Sequence, residues 1–138
     1  MAKVREEKQE IRVVSWAEYE ILLEKLAKKM VLKNNISKSL YGIPRGGLIV
    51  AICLTHVNEN FSLYPLSKLF RVNPVKSDID SIIVIDDIID SGDTAHKFFD
   101  YYELGTLFWR VGSSFEPDYY AEKLDSDVWI RFPWEKSA

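Results

Sequence analysis

Asp86, Asp87 and Asp90 set three carboxylates within five residues, directly after the apolar run Ile82-Ile83-Val84-Ile85. Like charges crowded this closely repel unless a cation or a polyhydroxy ligand makes use of them. Hard oxygen donors of this kind favour Mg²⁺, which is held by few protein groups and keeps many waters. The next residues, Ser91-Gly92-Asp93-Thr94, open a predicted helix. Backbone N–H groups there, two hydroxyls and the helix N-terminus together form a cradle for a monophosphate. Carboxylates beside an anion cradle suit a ligand that carries both a ribose and a phosphate. Taken singly, each aspartate reads as a helix cap or a solvated loop residue, and it is the combination that carries the chemistry. A phosphoacceptor aspartate also follows a strand, but that arrangement has its acidic pair near the N-terminus, and no matching pair precedes this one.

A second anion-competent turn is Ile43-Pro44-Arg45-Gly46-Gly47, where glycines let the backbone approach an anion and Arg45 adds a two-pronged charge. Alone it is an ordinary turn. Near the C-terminus, Trp129, Phe132 and Trp134 lie close together in sequence. His56 and His96 have no partner at metal-ligand spacing and are expected to be structural.

These residues need elements to position them. Ser15-Trp16-Ala17-Glu18 matches a capping box, and Trp16, Tyr19, Leu23, Leu26 and Met30 recur at helical spacing, so a helix is predicted to about Lys33, closed by Asn34-Asn35. A strand over 39–43, a glycine turn and a buried helix over 48–57 form the first half of a βαβ unit. Short strands are expected at 61–64 and 69–72. Ile82 to Ile85 is uninterrupted and β-branched, as in a strand covered on both faces. A turn over 86–94, a helix over 95–102, a strand over 106–111, a loop to Asp125 and a last strand over 127–132 complete the reading. Alternating strands and helices predict an α/β fold with a mainly parallel sheet, whose ligands bind beyond the carboxyl ends of the strands.

The segment IIVIDDIIDSGDTA resembles the phosphoribosyl pyrophosphate (PRPP) motif of the type I phosphoribosyltransferases. The resemblance implies that fold, a mainly parallel central sheet flanked by helices with a small C-terminal hood. It implies that Asp86 and Asp87 contact the ribose hydroxyls and the Mg²⁺, that Asp90 exchanges a proton with N7 of a purine, and that Asp90, Ser91, Gly92, Asp93 and Thr94 hold the 5′-phosphate. Asp93 departs from the neutral residue common at its place. Arg45, Gly46 and Gly47 then match the pyrophosphate loop. The ending VWIRFPWE resembles that of the bacterial xanthine-guanine enzymes, a branch acting on 6-oxopurines; by that likeness Trp134 stacks on the base, with Glu135 beside it, while Trp129 and Phe132 are core or contact residues. Arg110 stands where a lysine usually donates to the 6-oxo group, a change that alters shape and donor geometry. Residues 61–80 fall where the family has a closing lid, but the usual Ser-Tyr pair is missing; Lys68, Arg71 and Lys76 are the cations available there.

The 138 residues suit a single domain, with 1–12 a mobile or edge arm, 61–80 the lid and 112–138 the hood. A chain of this length buries roughly two thirds of its unfolded surface and needs no disulfide or structural metal. Cys53, the only cysteine, lies in an apolar run and reads as a small buried hydrophobe. The charged first ten residues lack the apolar core of a signal peptide, no stretch reaches the roughly 20 apolar residues of a membrane span, and the expected location is the cytoplasm. A net charge of −3 speaks against general nucleic-acid binding. The resemblance therefore implies a Mg²⁺-dependent transferase of purine salvage, homodimeric or homotetrameric, taking PRPP and guanine, xanthine or hypoxanthine. Its rivals are a PRPP-binding regulator without turnover and an enzyme for another base.

Overall fold

A computed structural model describes residues 9–33, 37–64, 81–97 and 101–136. Strand β1 (Ile11–Val13) leads into helix α1 (Trp16–Lys33), followed by β2 (Lys38–Gly42), α2 (Gly46–Val57) and β3 (Phe61–Leu63). Then come β4 (Ile82–Ile89), a 3₁₀ turn (Ala95–Lys97), β5 (Glu103–Arg110), β6 (Tyr119–Leu124) and β7 (Trp129–Arg131). Five strands form one sheet in the order β3-β2-β4-β5-β6, and every adjacent pair is parallel. The two ends of the chain meet in a separate parallel pair, β1 with β7, in which Ile11 stands opposite Trp129.

The sheet is covered on both faces, which is why β4 begins as a continuous apolar run. Side chains alternate across a strand. Ile83 and Ile85 pack with Leu26 and Met30 of α1 and with Val50 and Leu54 of α2. Ile82 and Val84 face the other way, onto Tyr41, Leu104 and Tyr102. Full burial of each such side chain contributes roughly 1.5–3 kcal/mol, so the central strand is the best-anchored element and the site is built on its end. Among the described residues no helix is long and apolar enough to cross a membrane.

The capping box is half made. Ser15 Oγ accepts from the Glu18 amide at 3.1 Å, but the Glu18 carboxylate turns to Arg12 at 3.3 Å instead of reaching back. Arg12 also pairs with Glu122 and lies over the Phe108 ring, tying the edge strand β1 to β6 and the core. So of the 1–12 arm, Ile11 and Arg12 are an edge strand, while 1–8 lie outside the described residues. The closing Asn34-Asn35, the strand expected at 69–72 and the lid with Lys68, Arg71 and Lys76 lie outside them too; of the lid segment only β3 and Tyr64 are described.

Three elements differ from the sequence reading. β4 does not stop at Ile85 but runs to Ile89, because Asp86, Ile88 and Ile89 pair with Thr106, Phe108 and Trp109 of β5. Pairing in a central strand overrides the low strand preference of aspartate. The stretch read as a loop to Asp125 contains β6, an edge strand in which only Tyr119 and Leu124 are buried, so no alternation marks it in the sequence. The helix expected over 95–102 is described only as the 3₁₀ turn Ala95–Lys97, with Tyr101 and Tyr102 outside any helix.

Candidate active site

The carboxyl end of β4 abuts the start of α2. Strand alternation turns Asp87 toward the α2 face, and its carboxylate fills the space beside Gly46: a Cβ built there would meet Asp87 Oδ2 at 1.9 Å. Gly47 packs against backbone instead of a side chain, since a Cβ would fall 2.4 Å from the Ile85 carbonyl oxygen and 3.0 Å from Asp86 Cα. Glycines at both positions therefore let the helix start lie directly on the strand end. Arg45 is the N-cap of α2, exposed and without a side-chain cap bond, and the Pro44–Arg45 peptide is cis.

Two clefts open from this junction and share Asp87 and Glu135. The larger, about 690 Å³, is lined by Arg45, Gly46, Ile49, Trp134 and Lys136 in addition to that pair. The smaller, about 90 Å³, carries Asp90, Arg110, Trp129 and Phe132. The Arg45-Gly46 turn and two of the three carboxylates, Asp87 and Asp90, thus line adjoining clefts, whereas Asp86 and the loop from Ser91 to Thr94 line neither of the two.

Electrostatics at the junction are set by burial. Desolvation pushes the Asp86 carboxyl up to about 8, and the neighbouring Asp87 charge adds to it. Asp87 is raised as well, by burial first and with the Glu135 charge contributing. Asp86 Oδ1 accepts from the Asp87 amide at 2.9 Å, and Asp87 Oδ1 from the Ile88 amide at 2.8 Å. Two crowded, desolvated carboxyls hold a proton between them near neutrality unless a cation displaces it. Among the described residues no three His, Cys, Asp or Glu side chains converge as a metal cage. The donor set still fits Mg²⁺, which takes one or two carboxylates and completes its shell with waters and substrate phosphates.

The loop after β4 follows a different design from the expected helix N-terminus. Ser91, Asp93 and Thr94 are exposed, and the turn is held from behind by Ser114 and Phe115. Ser114 donates through both its amide and its hydroxyl to the Ser91 carbonyl, each at 3.0 Å, and its Oγ lies 2.8 Å from His96 Nε2. Gly92 has φ +95°, and a Cβ there would meet Ser114 Oγ at 2.6 Å. Ser91 Oγ accepts from the Asp93 amide at 3.2 Å. The cradle is therefore a braced loop of amides and hydroxyls, and His96 belongs to the brace.

The C-terminal aromatics divide between the clefts. Trp134 faces the larger one and stacks on Phe132, ring centroids 4.8 Å apart and planes 3° apart, with Tyr19 edge-on at 5.3 Å. Phe132 and half-exposed Trp129 line the smaller cleft beside Asp90 and Arg110. Glu135 closes the turn by accepting from the Phe132 amide at 2.8 Å. Arg110 is engaged with Asp90 at 2.5 Å and with the carbonyls of Ser126 and Val128 at 2.5 and 2.9 Å. Sequence reasoning missed Lys136, a second cation on the Arg45 cleft, although its place two residues after Trp134 was the available signal. It also missed Ser114, which only the chain's return past the loop reveals.

No protein-family model matches the sequence. Solved structures do. The chain superposes on a purine phosphoribosyltransferase from Pyrococcus horikoshii with a TM-score of 0.72 at 25% identity, over 94% of this chain and 97% of that one. A xanthine-guanine-hypoxanthine phosphoribosyltransferase from Helicobacter pylori gives 0.69 at 17% identity, over 90% and 93%. A hypoxanthine-guanine phosphoribosyltransferase from Schistosoma mansoni, in complex with IMP, gives 0.56 at 16% identity, over 87% and 66%. Overlap across nearly the whole of both chains with the first of these shows that this chain has the fold of the type I phosphoribosyltransferases.

Proposed function

We propose that this protein transfers the 5-phosphoribosyl group of PRPP to N9 of a 6-oxopurine and releases pyrophosphate. The observation that carries the reading is the junction at Asp87, whose carboxylate lines both the cleft of the Arg45-Gly46 turn and the Asp90 pocket. Such an arrangement can hold a ribose in the middle, a pyrophosphate at one end and a base at the other.

In this reading Asp86 and Asp87 hold the ribose hydroxyls, and the loop from Asp90 through Ser91, Gly92, Asp93 and Thr94 holds the 5′-phosphate, which supplies proximity. Arg45 and Lys136, with the amides of Gly46 and Gly47, stabilise negative charge on the departing pyrophosphate. Mg²⁺ bound at Asp86 and Asp87 would neutralise further charge on the same group. The bond from C1′ to pyrophosphate breaks as N9 attacks, C1′ inverts, and the purine proton passes through N7 to the Asp90 carboxylate. Phe132, Trp134, Glu135 and Arg110 bound the space for the base. The apolar side chains exposed on β1 and β7, Ile11, Val13 and Trp129, support a homodimer or homotetramer, and purine salvage in the cytoplasm is the matching role.

The test is pyrophosphate release with Mg²⁺ and PRPP, offering guanine, hypoxanthine, xanthine, adenine and uracil in turn. Release with a 6-oxopurine, lost in Asp86→Asn/Asp87→Asn, supports the reading. Release with adenine or uracil alone would reassign the base. PRPP binding without release from any base would make the protein a regulator.

A further inference from the structure

Arg110 ends β5, and its register neighbour Trp109 pairs with Ile89, so the guanidinium lies beside Asp90 where the chain leaves β4. The three contacts of Arg110 run in two directions. Nε donates to Asp90 Oδ1 at 2.5 Å, while the two terminal nitrogens donate to the carbonyls of Ser126 and Val128, at 2.5 and 2.9 Å, in the segment entering β7. The arginine side chain is 16% exposed against 53% for Asp90, so the guanidinium is the sheltered partner and the carboxylate is the one offered to the pocket. A guanidinium has five N–H donors in a rigid plane, and three are committed here. A lysine has one nitrogen and cannot present donors along two edges at once.

We propose that Arg110 is a positioning residue, a clamp that orients the Asp90 carboxylate and fixes the 126–128 segment over the small pocket, in place of reading the base with its charge. The inference rests on the transferase reading above and refines the role of one residue within it. Two links follow from the geometry. Asp90 and Arg110 act as a unit, so removing either member removes what the pair does. The hood segment and the strand end move together, so loosening the clamp misplaces the proton acceptor relative to the base, and misplacement of a reacting group lowers turnover more than it lowers binding.

The experiment compares the wild type with Arg110→Lys, Arg110→Gln, Asp90→Ala and the Asp90→Ala/Arg110→Gln double variant, in steady-state kinetics and in urea unfolding. Arg110→Gln is expected to lower kcat about tenfold or more while the base KM stays within about threefold. Arg110→Lys should recover part of kcat by restoring the ion pair. In the Asp90→Ala background, Arg110→Gln should cost less than about twofold further, and the unfolding constants should depart from additivity by about fivefold or more. A rise of about tenfold in base KM at unchanged kcat, retained in the Asp90→Ala background, would overturn the clamp and return Arg110 to direct base contact. If the wild type shows no turnover with any base, the transferase reading falls, and the unfolding cycle alone decides the clamp: additivity within about twofold rejects it.

Discussion

Asp87 Oδ2 lies 1.9 Å from where a Cβ on Gly46 would stand, so the carboxylate at the end of the central strand and the first residue of α2 share one space. The obstacle is the far end of a side chain, which can turn away. Gly46→Ala is therefore expected to leave the fold intact, within about 1 kcal/mol of wild-type stability, and to displace Asp87. PRPP affinity in the presence of Mg²⁺ should fall about tenfold or more, read by calorimetry alongside a melting curve. Wild-type affinity would detach Asp87 from the ligand.

Gly47→Ala sets the contrast. Its Cβ would meet the Ile85 carbonyl at 2.4 Å, and backbone in a packed core does not yield cheaply. Overpacking of this kind costs about 1–3 kcal/mol. Denaturant unfolding should show that loss at position 47 and not at 46.

The protonation of the acidic pair predicts an unusual pH profile for the metal-free protein. Asp86 is raised to about 8 in the folded chain against an ordinary value of 3.8. A carboxyl raised on folding binds its proton more tightly in the native state, so its contribution is fully present below the unfolded value and is lost as pH rises through the folded one. The melting temperature should fall between about pH 5 and pH 8. Asp86→Asn should flatten that slope, and added Mg²⁺ should recover stability at pH 8 by favouring the ionised pair. A rising profile over the same range would contradict the assignment.

Gly92→Ala tests the proposed phosphate role of the loop after β4. The residue has φ +95°, which L side chains rarely adopt, and its Cβ would strike Ser114 Oγ at 2.6 Å. A stability loss of about 1–2 kcal/mol is expected, together with weakened competition by a nucleoside 5′-monophosphate against PRPP. Ser114→Ala relieves that clash but leaves the strain at φ +95° and removes the hydroxyl bond to Ser91, so the double variant should recover neither stability nor affinity.

Trp134 is held by Phe132 in parallel and by Tyr19 edge-on. Trp134→Ala should lower stability by about 3 kcal/mol or more through lost burial and ring contacts. Trp134→Phe should keep most of the stability, and a change in base KM in that variant would report contact with the base.

Much of the site was legible because chemistry and local geometry coincide in the chain. An apolar run followed by Asp86, Asp87, Asp90 and the Ser91–Thr94 turn states a buried strand, a charged end and a polar loop in thirteen consecutive residues. The parallel sheet and the helix spacing of Trp16 to Met30 were equally readable, since period and burial go together in those elements. Less legible was the extent of β4, because aspartates continue a strand only where a neighbour such as β5 supplies partners. Strand β6 was hidden because an edge position buries just its ends.

The sequence by itself determined the kinds of group available and their order: a central buried strand, its acidic end, two glycine turns and an aromatic C-terminus. Tertiary structure alone decided which of them share a space. It placed Gly46 against Asp87, Ser114 behind Gly92 and Lys136 on the same cleft as Arg45. It also turned Arg110 toward Asp90 and the Ser126 and Val128 carbonyls, and it set Trp134 against Tyr19. Periodicity and motif are properties of neighbouring residues, whereas these contacts join segments far apart in the chain and exist only once the sheet has aligned them.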